Sequence, residues 1–292
     1  MSLRYQHVSF LSDYGRTDEF VGVVHSVLHQ MCPGVNVIDV THDVPAFDVR
    51  AGGLALARSA QYLAPGVVMA VVDPGVGSRR RAVAVEVADG AAVLVGPDNG
   101  LLAPAVAMIG GAERAVWLND PQYHLDSPGT TFDGRDVFAP VAAHLCQGVA
   151  LEELGELIDP AGLMPGLMPV ARTEDDGTIA AEVLWVDQYG NVQLNLGPDD
   201  LDPLGAHVEL TVSGARHSAR RAAHFADIGA GALGLITDSY GMLAVAADRA
   251  SAAEELRAAA GDEVVVRIID SPDDPPDGGA VEVPIRLGRT EA

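Results

Sequence analysis

The sequence predicts an α/β chain in two parts. Residues 1–160 read as a layered α/β domain with a mainly parallel sheet, and residues 178–292 as a smaller all-β, barrel-like domain. Three observations carry this reading. The first half alternates short apolar runs with stretches of helical period, and the run at 67–72 is apolar throughout, as in a strand covered on both faces. Between 159 and 176 the texture changes to three prolines, two methionines and a run of acids, which marks a linker at 161–177. Beyond it, short β-branched runs follow one another with little helical pattern.

Residues 8–11 form the first expected strand, leading into Ser12-Asp13-Tyr14-Gly15. A helix over 18–31 follows, its apolar face made by Phe20, Val23, Val24, Val27 and Met31. Residues 35–40 make a short strand and 49–63 a second helix. Strands are expected at 67–72, 82–87 and 92–95, then helices at 101–109 and 137–149. In the second half the strands are 179–186, 192–196, 207–212, 233–236, 243–246 and 263–269, with one helix at 252–260 and a loop at 273–279.

With 292 residues the chain has ample material for a core. Its formal net charge is −23, and all 18 of its Lys+Arg residues are arginine. Without lysine there is no Schiff base, no pyridoxal aldimine and no P-loop lysine. The acidity argues against a nucleic-acid or anionic-membrane partner, both of which need a basic face. No apolar stretch reaches the ~20 residues of a membrane-spanning helix, and no basic-then-apolar leader is visible, so a cytoplasmic protein is expected. Cys32 and Cys146 form no CxxC and read as buried thiols of a reducing compartment.

Asp73 ends the 67–72 run, where open α/β sheets place ligand-binding residues, and the following Pro74-Gly75-Val76-Gly77 turn exposes backbone amides. Arg80 lies seven residues on, near enough for a tight turn to return its guanidinium to Asp73. Such a pair could equally be a structural clamp. Asp13 closes the first strand, where it could also cap a turn. Asp98 and Asn99, within Gly96-Pro97-Asp98-Asn99-Gly100, are either a loop into the next helix or part of a pocket. Asp187 and Asn191 flank Tyr189-Gly190, either as an Asx-capped turn or as a binding segment. The amide of Asn191 offers a donor and an acceptor side by side.

These strings, together with Thr131-Phe132-Asp133-Gly134-Arg135-Asp136 and Asp238-Ser239-Tyr240-Gly241, resemble the S-adenosyl-L-methionine (SAM) hydrolases (adenosyl-forming), in order over nearly the whole chain. That family also includes the SAM-dependent fluorinase and chlorinase. The resemblance implies a metal-independent enzyme that takes SAM as substrate, uses no cofactor, and forms homotrimers with sites at subunit interfaces. It implies catalytic roles for Asp73 and Arg80, a ribose contact for Asp13, and a nucleoside pocket lined by Asp98 and Asn99. Asp187 would then hold the methionine ammonium, Asn191 read adenine, Tyr189 form a wall and Ser239 meet the methionine end. The halogenases carry a tyrosine at the aspartate position, so Asp73 places the chain on the hydrolase side.

Asp133 departs from the pattern, since the family has histidine there. Histidine can donate and accept, whereas an ionised aspartate only accepts. Asp133 is expected to orient water with Asp73 and to clamp Arg80; a weakened activity, or a SAM or adenosine binder without turnover, is the alternative, as is halogenation.

His25 and His29 share a helix face at i, i+4 without a third ligand in register, and His42-Asp43 is a lone dipeptide, so no metal is expected. His124 and His144 could in principle replace the missing histidine, though His144 sits on an apolar helical pattern.

Overall fold

A computed structural model describes residues 3–201 and 207–269; the loop expected at 273–279 lies outside them. The chain divides into two compact units, Met1–Met168 and Pro169–Ala292.

The first unit is built on a seven-stranded sheet in the order β2-β1-β3-β5-β4-β6-β7. Its strands are β1 (His7–Ser12), β2 (Asn36–Thr41), β3 (Gly66–Val71), β4 (Ala82–Val87), β5 (Ala92–Pro97), β6 (Arg114–Trp117) and β7 (Glu156–Ile158). β2, β1, β3 and β5 pair in parallel; β4 is antiparallel to β5 and β6, and β6 to β7. β6 therefore runs with the parallel set, and β4 and β7 run against it.

Helices cover both faces. α1 (Phe20–Met31) and α4 (Ala139–Gln147) pack on Phe10, Met69, Val71 and Val95, whereas α2 (Val49–Ala60) and α3 (Ala103–Met108) pack on Leu11, Ala70, Val72 and Leu94. Alternate residues of β3 thus enter opposite cores, and every residue of the strand is buried, as its unbroken apolar run requires. The chain leaves β1 toward β2 on one side and reaches β3 on the other, so the β1/β3 carboxyl ends form a topological switch point, the usual place for a ligand crevice.

The second unit is a closed barrel. Its strands are β8 (Arg172–Thr173), β9 (Ile179–Val186), β10 (Val192–Leu194), β11 (His207–Val212), β12 (Ala215–Arg221), β13 (Leu233–Thr237), β14 (Leu243–Ala247) and β15 (Glu263–Ile269). Seven of them run β9-β10-β14-β13-β12-β11-β15 and back to β9, while β8 extends β9. Inward side chains such as Val183, Leu194, Leu210, Leu235, Val245 and Val266 fill the interior, and the short α5 (Ala252–Leu256) adds Ala252 and Leu256.

β6, β7, β8 and β12 are not evident in the sequence. Three of them are only two to four residues long, and β12 carries three arginines on a largely exposed ribbon, so neither length nor alternation marks them. α5 stops at Leu256, short of the expected 260, because Arg257 turns into the left-handed region at φ 53°.

Candidate active site

Asp13 and Asp73 immediately follow β1 and the β3 run, at the switch point. The Pro74-Gly75-Val76-Gly77 turn returns the chain so that Arg80 Nε donates to Asp73 Oδ1 at 3.0 Å, while its Nη2 bonds Asp73 Oδ2. The same Nη2 reaches Asp133 Oδ2 at 2.7 Å. One guanidinium thus bridges two carboxylates 53 and 7 residues away. Gly77 permits the turn: its φ is +76°, and a Cβ there would stand 2.8 Å from the Thr130 carbonyl. The triad is largely buried, with side-chain exposures of 5% for Asp73, 9% for Arg80 and 20% for Asp133. Burial pushes the Asp73 carboxyl above its usual range; Arg80 opposes this and the nearby Asp133 charge adds to it.

Asp73, Asp133 and Asp13 line one cavity of about 410 Å³ together with Tyr14, Phe20, Phe47 and Phe132. The aromatic rings pack edge to face, Tyr14 on Phe132 at 5.6 Å and Phe20 on Phe132 at 5.1 Å between centroids. Phe47 holds a left-handed backbone, φ 67°, uncommon for a bulky residue, and its N–H donates to Asp13 Oδ2 at 2.9 Å. Burial, reinforced by the charges of Asp13, Asp73 and Asp133, raises the Tyr14 phenol far above its ordinary value, so it stays a hydroxyl. Helical periodicity assigns Phe20 to a core face, but it is 38% exposed at the cavity instead. Neither it nor Phe47 carries a sequence signal for this position.

Asp133 is delivered by a π-turn, Gly134–Phe138, ahead of α4. Pro140 has no N–H for the Asp136 carbonyl, which accepts from Leu125 N at 2.8 Å instead. Neither His124 nor His144 lines this cavity. Burial lowers both imidazoles, the nearby Asp133 charge opposing this at His124, and His144 packs edge-on against Tyr123 at 5.1 Å.

Asp98 and Asn99 do not line this cavity. Asp98 accepts from Arg81 Nε at 2.9 Å and from Met164 N at 2.8 Å, tying the loop after β5 to the end of the unit. Asn99 donates to the Val72 carbonyl at 2.9 Å and accepts from Leu101 N at 3.1 Å. In the geometry seen, both are used by the fold.

A second cavity, of about 310 Å³, opens in the barrel unit. It is lined by Asp187, Asn191, Gln193, Asp238 and Ser239 and walled by Trp185 and Tyr240. Asp187 Oδ1 accepts from Tyr189 N and Asn191 N, each at 2.9 Å, and its Oδ2 from Asn191 Nδ2 at 2.8 Å. Asp238 repeats the motif, accepting from Tyr240 N at 2.8 Å and Met242 N at 3.0 Å. Both are Asx turns holding a carboxylate at a cavity wall. Tyr189 is 71% exposed and outside the lining.

Among the described residues one group has metal-ligand character: His25, Asp39 and His42. Neither His29 nor Asp43 belongs to it.

The N-terminal domain of the SAM hydroxide adenosyltransferase family matches residues 8–155, and its C-terminal domain matches residues 181–265. The chain is 44% identical over 259 residues to the (R)-S-adenosyl-L-methionine hydrolase of Salinispora tropica, covering 89% of this chain and 97% of the relative. More distantly, it is 27% identical over 290 residues to a fluorinase of Nocardia brasiliensis, covering 89% and 96%. The crystal structure of an uncharacterized conserved protein from Thermotoga maritima superposes with a TM-score of 0.82 at 32% identity, covering 89% of this chain and 99% of that one. Both domains are matched in order, and a relative is matched nearly end to end: the chain belongs to the SAM hydroxide adenosyltransferase family.

Proposed function

We propose that this protein hydrolyses S-adenosyl-L-methionine to adenosine and L-methionine. The observation that carries the reading is the Arg80 guanidinium bridging Asp73 and Asp133, two carboxylates that line one cavity with Asp13. SAM is a sulfonium, so methionine leaves from C5′ as a neutral thioether, and departure needs neither protonation nor a Lewis acid. Water is the weak partner. A carboxylate of raised basicity, Asp73, takes its proton while Arg80 and Asp133 hold it in line. The water oxygen bonds C5′, the C5′–S pair moves to sulfur, and the proton passes to Asp73. The Asp73 anion and the sulfonium cation neutralise each other as the proton and the C5′–S pair move. Charge therefore disperses in the transition state, and the aromatic walls of the cavity favour that.

The remaining roles follow the family. Asp13 accepts from the ribose hydroxyls, and Asp98 and Asn99, the family's nucleoside-pocket positions, brace the loop after β5 through their bonds to Arg81 and the Val72 carbonyl. Asp187 holds the methionine ammonium, Asn191 reads adenine, Tyr189 adds a wall and Ser239 meets the methionine end. Residues 1–160 then form the catalytic domain, 161–177 the linker and 178–292 the domain that completes the pocket. By the family's pattern the two cavities belong to sites shared between the subunits of a homotrimer that uses no cofactor and works in the cytoplasm. Halide as nucleophile is disfavoured, since Asp73 and Asp133 repel an anion.

Incubating the purified protein with SAM and separating the products tests the reading. Adenosine and methionine should form in equal amounts, with sedimentation at the trimer or a dimer of trimers. 5′-Chloro-5′-deoxyadenosine in chloride buffer or tight SAM binding without turnover would overturn hydrolysis, and an active monomer would overturn the shared sites.

A further inference from the structure

His25 on α1, Asp39 on β2 and His42 just beyond β2 converge on one point, with their ligand atoms all within 4.8 Å of one another. Asp39 Oδ1 lies 2.8 Å from His25 Nε2 and 3.1 Å from His42 Nε2. His42 is fully buried, and its Nε2 faces Asp39 as a charge contact without the geometry of a hydrogen bond, leaving that nitrogen without a hydrogen-bond partner among the described residues. A buried polar atom without a partner is uncommon and calls for a reason. Its other ring nitrogen, Nδ1, is held 2.7 Å from Ser12 Oγ. An imidazole pinned at one nitrogen by an outer hydrogen bond, with the other facing a carboxylate and a second imidazole, is arranged as metal-ligating histidines are.

We infer that His25 Nε2, Asp39 Oδ1 and His42 Nε2 form a site for a divalent transition-metal ion of the zinc type, with water completing the coordination. Two imidazoles and one carboxylate suit Zn²⁺ or Co²⁺, whereas Mg²⁺ and Ca²⁺ want oxygen ligands. The His25 and Asp39 side chains keep 29% and 26% of their surface exposed, which gives an ion a way in and leaves room for water. The ion would staple the crevice rather than meet the substrate. The His42 carbonyl accepts from Gly15 N at 2.8 Å, and Ser12 Oγ accepts from Tyr14 N at 3.3 Å, so the site sits beneath the segment that presents Asp13 and Tyr14.

The test uses tag-free, full-length protein stripped with chelator. Zn²⁺ titrated by calorimetry should bind at one ion per chain, Co²⁺ should give visible bands of nitrogen–oxygen ligation, and Zn²⁺ should raise the melting temperature. His25→Ala and Asp39→Asn, both at partly exposed positions, should each weaken Zn²⁺ binding by roughly 100-fold, and Ser12→Ala by about 10-fold, the scale of a lost outer-sphere contact. An absence of saturable binding would overturn the site in favour of a metal-free His25–Asp39–His42 hydrogen-bonded chain. Parental affinity in both His25→Ala and Asp39→Asn would overturn it by placing the ion elsewhere.

Discussion

Asp133 concentrates the chemical question in one side chain. Arg80 occupies its Oδ2, while no hydrogen bond from the described residues reaches Oδ1. The clamp is therefore present in the structure, and a further oxygen is left for water. Asp133→Asn keeps an oxygen for Arg80 but removes the charge. Turnover should fall about 10²-fold, the usual scale for a group sharing in general-base work, with KM changing far less. Asp133→His restores the family residue and should be active. Steady-state kinetics of both variants checks this, and near-parental turnover in Asp133→Asn would limit the residue to clamping Arg80.

The π-turn Gly134–Phe138 is the element that sets where Asp133 points. Its first residue has no room for a side chain, because a Cβ on Gly134 would collide with the Tyr14 hydroxyl. Gly134→Ala must push Tyr14 or the turn aside, at a cost of about 1–3 kcal/mol for overpacking. Since the turn carries Asp133 and Tyr14 follows Asp13, activity should fall more than stability does. Thermal melting and kcat measured on the same preparation would show this; a variant with lower melting temperature but unchanged kcat would mean that the turn does not set the geometry.

Among the described residues, buried and half-buried carboxylates are shifted in opposite directions, and acid should separate their effects. Arg114 hydrogen bonds hold Glu86 below its usual range. For Asp39, burial works upward, but the His42 and His25 contacts outweigh it and the net shift is down. Groups lowered in the fold contribute stability above their ordinary carboxylate values near 4, and this is lost as pH falls through the lowered ones. Asp73 is raised, so the ionised base disappears at a higher pH than an ordinary aspartate would require. Activity should therefore fall on mild acidification while the fold persists. Parallel profiles of kcat/KM and urea midpoint would test the order, and a midpoint that falls before activity does would contradict it.

The sequence by itself determined the two-part architecture and named the residues proposed for the site. Strand periodicity, the all-apolar 67–72 run and the Gly/Pro turns are local signals, and Asp13, Asp73, Arg80, Asp133, Asp187 and Asn191 sit at the ends of the runs that place them. Tertiary structure decided what those residues touch. Arg80 meets Asp133 across 53 residues, and Asp98 is drawn to Arg81 and Met164. Phe20 and Phe47 become cavity walls, and His25, edge-on to His29 along its own helix, also reaches Asp39 and His42. These contacts join segments remote in sequence, and short-range periodicity holds no information about which strand ends the sheet order brings together.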